Sequence, residues 1–102
     1  MKRRFKLVAS RHLIAADRQY INAILDAGQK TGHRKGGLTV SLERADRQAE
    51  IDRYRTNRFR REWADAIEKH TVKGVLYAVE IKDVDGRIIH QIVDVSDVGI
   101  YP

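Results

Sequence analysis

The residues best suited to chemistry lie between Arg53 and Trp63, where the sequence reads RYRTNRFRREW. Five arginines, a phenylalanine, a tyrosine and a tryptophan fall within these eleven positions. Guanidinium groups bind phosphate oxygens as planar forks, and an aromatic ring among them can stack on a nucleobase. The segment therefore indicates a nucleic-acid-binding surface, provided that its arginines are not already paired with acids.

Four arginines of residues 42–70 lie within one third of a helical wheel, opposite the apolar side, and Arg61 lies at the edge of that third. The predicted phosphate-binding residues of this helix are Arg44, Arg47, Arg55, Arg58 and Arg61. Ile51 and Tyr54 lie among them and are predicted to form an exposed interface for a protein partner or a second copy. The competing interpretation is a solvated helix face, because most of these arginines have an acid three or four residues away. Only Arg44 and Arg60 lack one.

A second cationic candidate combines the loop at residues 29–37, which contains GHRKGG, with the amino-terminal arm. The loop has no acid between Asp26 and Glu43, and its glycines allow the backbone to approach a phosphate closely. It is not a P-loop, which requires GxxxxGK[ST] after a strand. The competing interpretation is a solvated connection. The additional nucleic-acid-binding residues predicted here are Arg34, Lys35, Lys2, Arg3 and Arg4.

A third candidate is Glu80-Ile81-Lys82, which has the ExK spacing of restriction-type nucleases. In such a site the glutamate binds a divalent metal that activates water. The spacing is a weak signal, and a strand with Ile81 facing the core leaves the Glu80 and Lys82 side chains on an ordinary outer face. The four histidines show no metal-ligand spacing. We therefore expect no catalytic residue, metal or cofactor, and a metal-dependent nuclease is the least favoured function.

The composition narrows the class of protein. The 102 residues and their 42% apolar fraction suit one small globular domain. The absence of cysteine excludes disulfides, thiolate metal sites and a thiol nucleophile. No apolar run approaches the roughly 18 residues of a membrane span, and the amino terminus lacks the apolar region of a signal peptide. These features predict a cytoplasmic protein without a membrane partner, or one in the host cytoplasm if a phage encodes it.

The net charge of +6 is unevenly distributed along the chain. Residues 1–35 carry nine basic and two acidic side chains, whereas residues 74–102 carry two basic and five acidic ones. Such polarity favours an anionic partner for the amino-terminal part, although it also suits self-association.

Period-two alternation predicts a strand over residues 2–10, although the MKRR head could instead be a mobile arm. A helix is predicted from Arg11 or Asp17 to Ala27, followed by the loop and a short strand over residues 38–40. Residues 42–70 carry a long helical pattern with Phe59 and Trp63 on its apolar side. A bend near Thr56 remains open, although no glycine or proline requires it.

The clearest predicted element is a hairpin formed by residues 74–82 and 87–95. A three-residue loop with Gly86 in the left-handed conformation aligns the apolar residues of both strands on one face. The predicted pairs are Val75 with Val95, Tyr77 with Val93, Val79 with Gln91, Ile81 with Ile89 and Glu80 with His90.

Together these elements predict an α+β fold, in which a mostly antiparallel sheet packs one face on two helices, one long and arginine-rich. The favoured function is a non-enzymatic module that binds nucleic acid or nucleoprotein, whether DNA or RNA. The alternative is a small interaction factor of the phage or mobile-element type, which binds an acidic host protein or self-associates.

Overall fold

Five strands form one antiparallel sheet in the order β1-β5-β4-β3-β2. The computed structural model describes residues 2–10, 19, 21–22, 33–35 and 38–98. The strands are β1 Lys2–Ser10, β2 His33–Lys35, β3 Leu38–Arg44, β4 Val75–Lys82 and β5 Ile88–Val98. Between β3 and β4 lie two helices, α1 Arg47–Arg55 and α2 Arg61–Lys69. The predicted α+β class is confirmed, and no described helix is long and apolar enough to cross a membrane.

The β4–β5 hairpin has the predicted register. Each expected pair is present, from Val75 opposite Val95 to Ile81 opposite Ile89. Gly86 has a φ of 82°, which is the left-handed conformation that a three-residue loop requires. The Asp83 carboxylate accepts hydrogen bonds from the backbone amides of Asp85 and Arg87 at 2.9 and 2.8 Å, which fixes the loop.

Strand β1 has its predicted bounds and pairs with β5, so this segment is not a free arm. The predicted loop at residues 29–37 is wrong for His33–Lys35, which forms the edge strand β2 against β3. Strand β3 continues beyond the predicted residue 40 to Arg44. Most of the predicted helix ending at Ala27 lies outside the described residues, within which Gln19, Ile21 and Asn22 are helical.

The sheet is covered on both faces, so the expectation of a single packed face is wrong. Successive strand residues point to opposite sides, and both sets are apolar. One face buries Val79, Ile81 and Val93 against Ile21. The other face buries Leu76 and Ile92 against α1 and α2. The prediction had packed both helical segments against one face of the sheet.

The helical pattern of residues 42–70 is two short helices preceded by strand. Leu42 lies in β3, and the Asp46 carboxylate caps α1 by accepting from the Gln48 amide at 3.2 Å. The chain leaves the helical conformation after Arg55. The Asn57 side chain then accepts from the Phe59 amide at 2.9 Å, a local turn that competes with helix continuation. The bend that the sequence left open is therefore a complete break.

This break changes which side chains are buried. Ile51 and Tyr54 are only 5% and 7% exposed, so their predicted exposure as an interface is wrong. Phe59, expected in the core, is 83% exposed. Trp63 is buried as predicted. A helical wheel that treats residues 42–70 as one helix fails here. Because α1 and α2 are separate helices, the side-chain directions in α2 do not continue those in α1.

The connection from α2 to β4 is held by the buried carboxylate of Asp94. It accepts from the His70 ring at 2.7 Å and from the backbone amides of Lys73 and Gly74 at 2.9 and 3.0 Å. A Cβ atom at Gly74 would lie 1.9 Å from the Val95 carbonyl oxygen, so only glycine permits this approach. Burial opposes ionisation of Asp94, but the hydrogen bonds from Lys73, His70 and Gly74 hold its pKa below the usual 3.8.

We expect Asp94→Asn to lower the free energy of unfolding at pH 7 by about 2–3 kcal/mol, because buried amide donors lose a charged acceptor. Since the folded-state pKa is depressed, this stabilisation is present above pH 3.8 and is lost as the pH falls below it. Urea unfolding across this range should show the difference between wild type and variant narrowing in acid. A difference that does not depend on pH would contradict an ionised Asp94.

We expect Gly86→Ala to destabilise the hairpin by about 1 kcal/mol, the cost of a left-handed alanine. The added Cβ meets no atom within 4 Å, so the cost is conformational rather than steric. Gly86→Asn is the matched control and should cost less, because asparagine tolerates this conformation. Equal urea midpoints for Gly86→Ala and wild type would contradict this.

Candidate nucleic-acid interface

The candidate interface is residues 57–61, which lie in the connection between α1 and α2 and end at the first residue of α2, and which we call the arginine turn. Arg55, at the end of α1, forms ion pairs with Asp65 at 3.1 Å and with Glu68, both on α2. Arg47 donates to the Glu68 backbone carbonyl at 2.8 Å. These contacts join the two helices and present the turn between them to solvent.

Two buried aromatic rings support the base of the arginine turn. Tyr54 and Trp63 meet edge to face, with ring centroids 5.0 Å apart. The Arg60 guanidinium lies 5.0 Å from the centroid of the Trp63 ring. Burial raises the pKa of the Tyr54 hydroxyl, and the Glu50 carboxylate raises it further against the opposing effect of Arg53. The Tyr54 hydroxyl therefore stays neutral at physiological pH.

Phe59 is the most exposed aromatic side chain among the described residues. The Arg58 guanidinium lies 5.9 Å from the centroid of its ring. Within the described part of the chain, no carboxylate lies within 4.0 Å of the Arg58, Arg60 or Arg61 guanidinium. The arginine turn thus presents an exposed apolar ring beside Arg58, with Arg60 and Arg61 next in sequence, and these three arginines form no ion pair with the described residues.

Two clefts adjoin the arginine turn and share Asn57 and Arg60. The first, here called the turn cleft, has a volume of about 480 Å³. It is lined by Phe59, Trp63 and Ser10, with Glu62 as its acid.

The second, here called the sheet cleft, has a volume of about 390 Å³ and lies between α1 and the sheet. Its helical wall carries Arg53 and Tyr54. Its floor consists of two rows of paired residues, Ser41-Glu80-His90 and Glu43-Ala78-Ile92.

The structure disperses most of the ten predicted nucleic-acid-binding residues. Lys2, Arg3 and Arg4 lie on edge strand β1, whereas Arg34 and Lys35 lie on the opposite edge strand β2. Three strands separate these edges, which corresponds to about 19 Å. The proposed combination of amino-terminal arm and loop is therefore not one local surface.

The helical candidates divide into three environments. Arg44 lies two residues after Leu42 in β3 and therefore shares its sheet face, which is opposite α1 and α2. Arg47 and Arg55 make the interhelical contacts described above. Arg58 and Arg61 alone belong to the arginine turn.

The sequence prediction missed two contributors to the interface. Phe59 was assigned to the core by a wheel that assumed one helix. Arg60 was omitted from the predicted site, although its lack of an acid at helical spacing was a usable signal. Glu80 and His90 were correctly placed opposite each other, with Glu80 Oε2 and His90 Nδ1 4.0 Å apart, but α1 was not predicted to close a cleft over them.

Among the described residues, no three histidine, aspartate or glutamate side chains converge where they could hold a metal ion. Glu80 and Lys82 are both exposed on the face of the sheet that α1 and α2 cover elsewhere. Comparison of the chain with family models, curated proteins and solved structures finds no match in any of the three.

We expect Phe59→Ser to change the free energy of unfolding by no more than about 0.5 kcal/mol, because the ring is exposed. Trp63→Ala, four residues later, should cost about 3–5 kcal/mol, because that ring is buried. Parallel urea titrations check both values. If Phe59→Ser lowered the free energy of unfolding by several kcal/mol, as expected for Trp63→Ala, the ring would pack in the core and would not be available for binding.

Proposed function

We propose that the protein is a non-enzymatic nucleic-acid-binding module that makes its contact through the arginine turn. The observation that carries this proposal is Phe59, 83% exposed and flanked by arginines that make no ion pair with the described residues. Exposing a phenylalanine to water is unfavourable. A stacked base removes the ring from water while the neighbouring guanidinium groups reach the phosphates on either side.

The electrostatics support the same partner. Arg58 lies against the Phe59 ring, Arg60 lies over the Trp63 ring, and Arg61 follows in sequence, so the arginine turn carries three positive charges. Arg53 and Arg55, the other arginines of the segment, form ion pairs with Glu50 and with Asp65 and Glu68. Each phosphate neutralised by such a side chain releases a counterion, so affinity falls with salt. Arginine also stacks on bases through its planar guanidinium group, which lysine cannot do.

The alternative function is a protein-interaction factor of the phage or mobile-element type, which binds an acidic protein or a second copy. Phe59 is also the specific observation that favours it, because an exposed aromatic beside arginines is typical of protein hot spots. Ile51 and Tyr54, which are buried, no longer support it. We favour nucleic acid because three arginines within two residues of one exposed ring suit alternating phosphates and bases, and we propose that the protein acts in the cytoplasm.

Arg61→Gln should weaken oligonucleotide binding, because it removes a phosphate contact from the arginine turn. With three phosphate contacts, the slope of log affinity against log salt for the wild type should be about −2 for a single strand, and it should decrease in magnitude by about 0.7 in the variant. Lys69→Gln is the matched control, since it removes one charge from the same helix about 12 Å away. Fluorescence anisotropy over a salt series measures both slopes.

The same titration distinguishes the alternatives. An affinity that does not change between low and physiological salt would contradict phosphate binding. If Arg61→Gln and Lys69→Gln lose oligonucleotide affinity equally, binding depends on the overall charge of the protein rather than on the arginine turn. Absence of nucleic-acid binding, together with a dimer by light scattering that Phe59→Ser dissociates, would favour the protein-interaction function.

A further inference from the structure

The sheet cleft combines a carboxylate floor with a cationic rim. On the floor, Glu43 and Glu80 are diagonal neighbours on adjacent strands, which places their Cα atoms about 7–8 Å apart. Between them lies Ala78, whose small side chain leaves the space open. On the rim, Arg53 and Arg60 are the cations. Phosphate is therefore attracted to the rim and repelled from the floor.

The volume of the sheet cleft, about 390 Å³, falls within the range of about 300–1,000 Å³ seen for small-molecule sites. Asn57 and Arg60 line both this cleft and the turn cleft beside Phe59. A nucleotide next to one stacked on Phe59 can therefore direct its base into the sheet cleft without leaving the arginine turn.

The floor selects among bases by hydrogen-bond type. Ionised carboxylates only accept hydrogen bonds, so Glu43 and Glu80 favour donors from the ligand. Glu80 Oε2 lies 4.0 Å from His90 Nδ1, which is too long for a hydrogen bond. Cytosine, adenine and guanine carry exocyclic amino groups with two protons to donate, and carboxylate acceptance from the cytosine amino group is an established pairing. Uracil and thymine donate only one proton on their pairing edge, from N3–H, and it lies between two carbonyl oxygens that repel a carboxylate.

Building on the proposed function, we propose that the sheet cleft binds an unpaired base bearing an exocyclic amino group, with Glu43 and Glu80 as its acceptors. The base must be unpaired, because in a duplex the same edge is already hydrogen-bonded to the opposite strand. The protein is thus a single-strand binder that discriminates against uracil and thymine.

Cytosine and uracil oligonucleotides of about twelve nucleotides test this inference, since both are pyrimidines and differ only on the pairing edge. At fixed low salt, the wild-type protein should bind oligo(C) about tenfold more tightly than oligo(U). Oligo(C) paired with its complement should bind more weakly than oligo(C) alone. In the Glu43→Gln, Glu80→Gln double variant, the preference should fall to about twofold or less, because each glutamine amide also donates to carbonyls.

Asp85→Asn is the matched control, since it removes one acid from the exposed hairpin loop outside the cleft and should preserve the preference. Measurable but equal affinity for oligo(C) and oligo(U) overturns the inference and leaves the proposed function standing. A cytosine preference that survives in the double variant, or equally tight binding of the duplex, also overturns it. No binding to either oligonucleotide overturns the proposed function and this inference together.

Discussion

The edge-to-face contact between Tyr54 and Trp63 is the packing interaction on which the candidate interface depends. It brings the last turn of α1 against the first turn of α2, and both rings are buried over the sheet. The five residues between Arg55 and Arg61 connect the two helices over a short distance, and all of them except the half-buried Arg60 are exposed. Phe59 lies in this connection, which explains why it is 83% exposed although it is an apolar residue.

The charges of the helical pair have two separate roles. Arg47 and Arg55 are used within the protein, where they connect α1 to α2 through Asp65 and Glu68. These contacts are largely exposed and contribute modest stability, but they fix the geometry of the pair. The arginines of the turn make no such contacts within the described residues. The number of arginines in the sequence therefore overestimates the number available for binding. An arginine of one helix that faces an acid on the other helix is already paired within the protein.

The hairpin could be predicted because the residues that determine its register lie in two neighbouring strands and the short loop between them. Alternation of Val, Ile and Tyr residues on both sides of Gly86 allows few registers, and burial of one face selects among them. The helix break was not predictable in the same way. Thr56 and Asn57 are weak helix breakers, and the preference for interruption comes from packing of Tyr54 and Trp63 onto strands that are distant in sequence. Once the phase is reset, Phe59 moves from the expected core to the surface and Ile51 moves inward.

Strand β1 occupies a position with consequences for how the chain folds during synthesis. Its partner is β5, so the first and the last of the described strands pair, and residues Lys2–Ser10 cannot join the sheet before residues 91–98 are available. Contacts of such long sequence separation slow folding. Until then Phe5 and Leu7, which pack against the core in the final structure, remain without their partners in β5. The charged side chains that alternate with them, such as Arg4 and Lys6, are of the kind that discourages an unpaired strand from pairing with another chain.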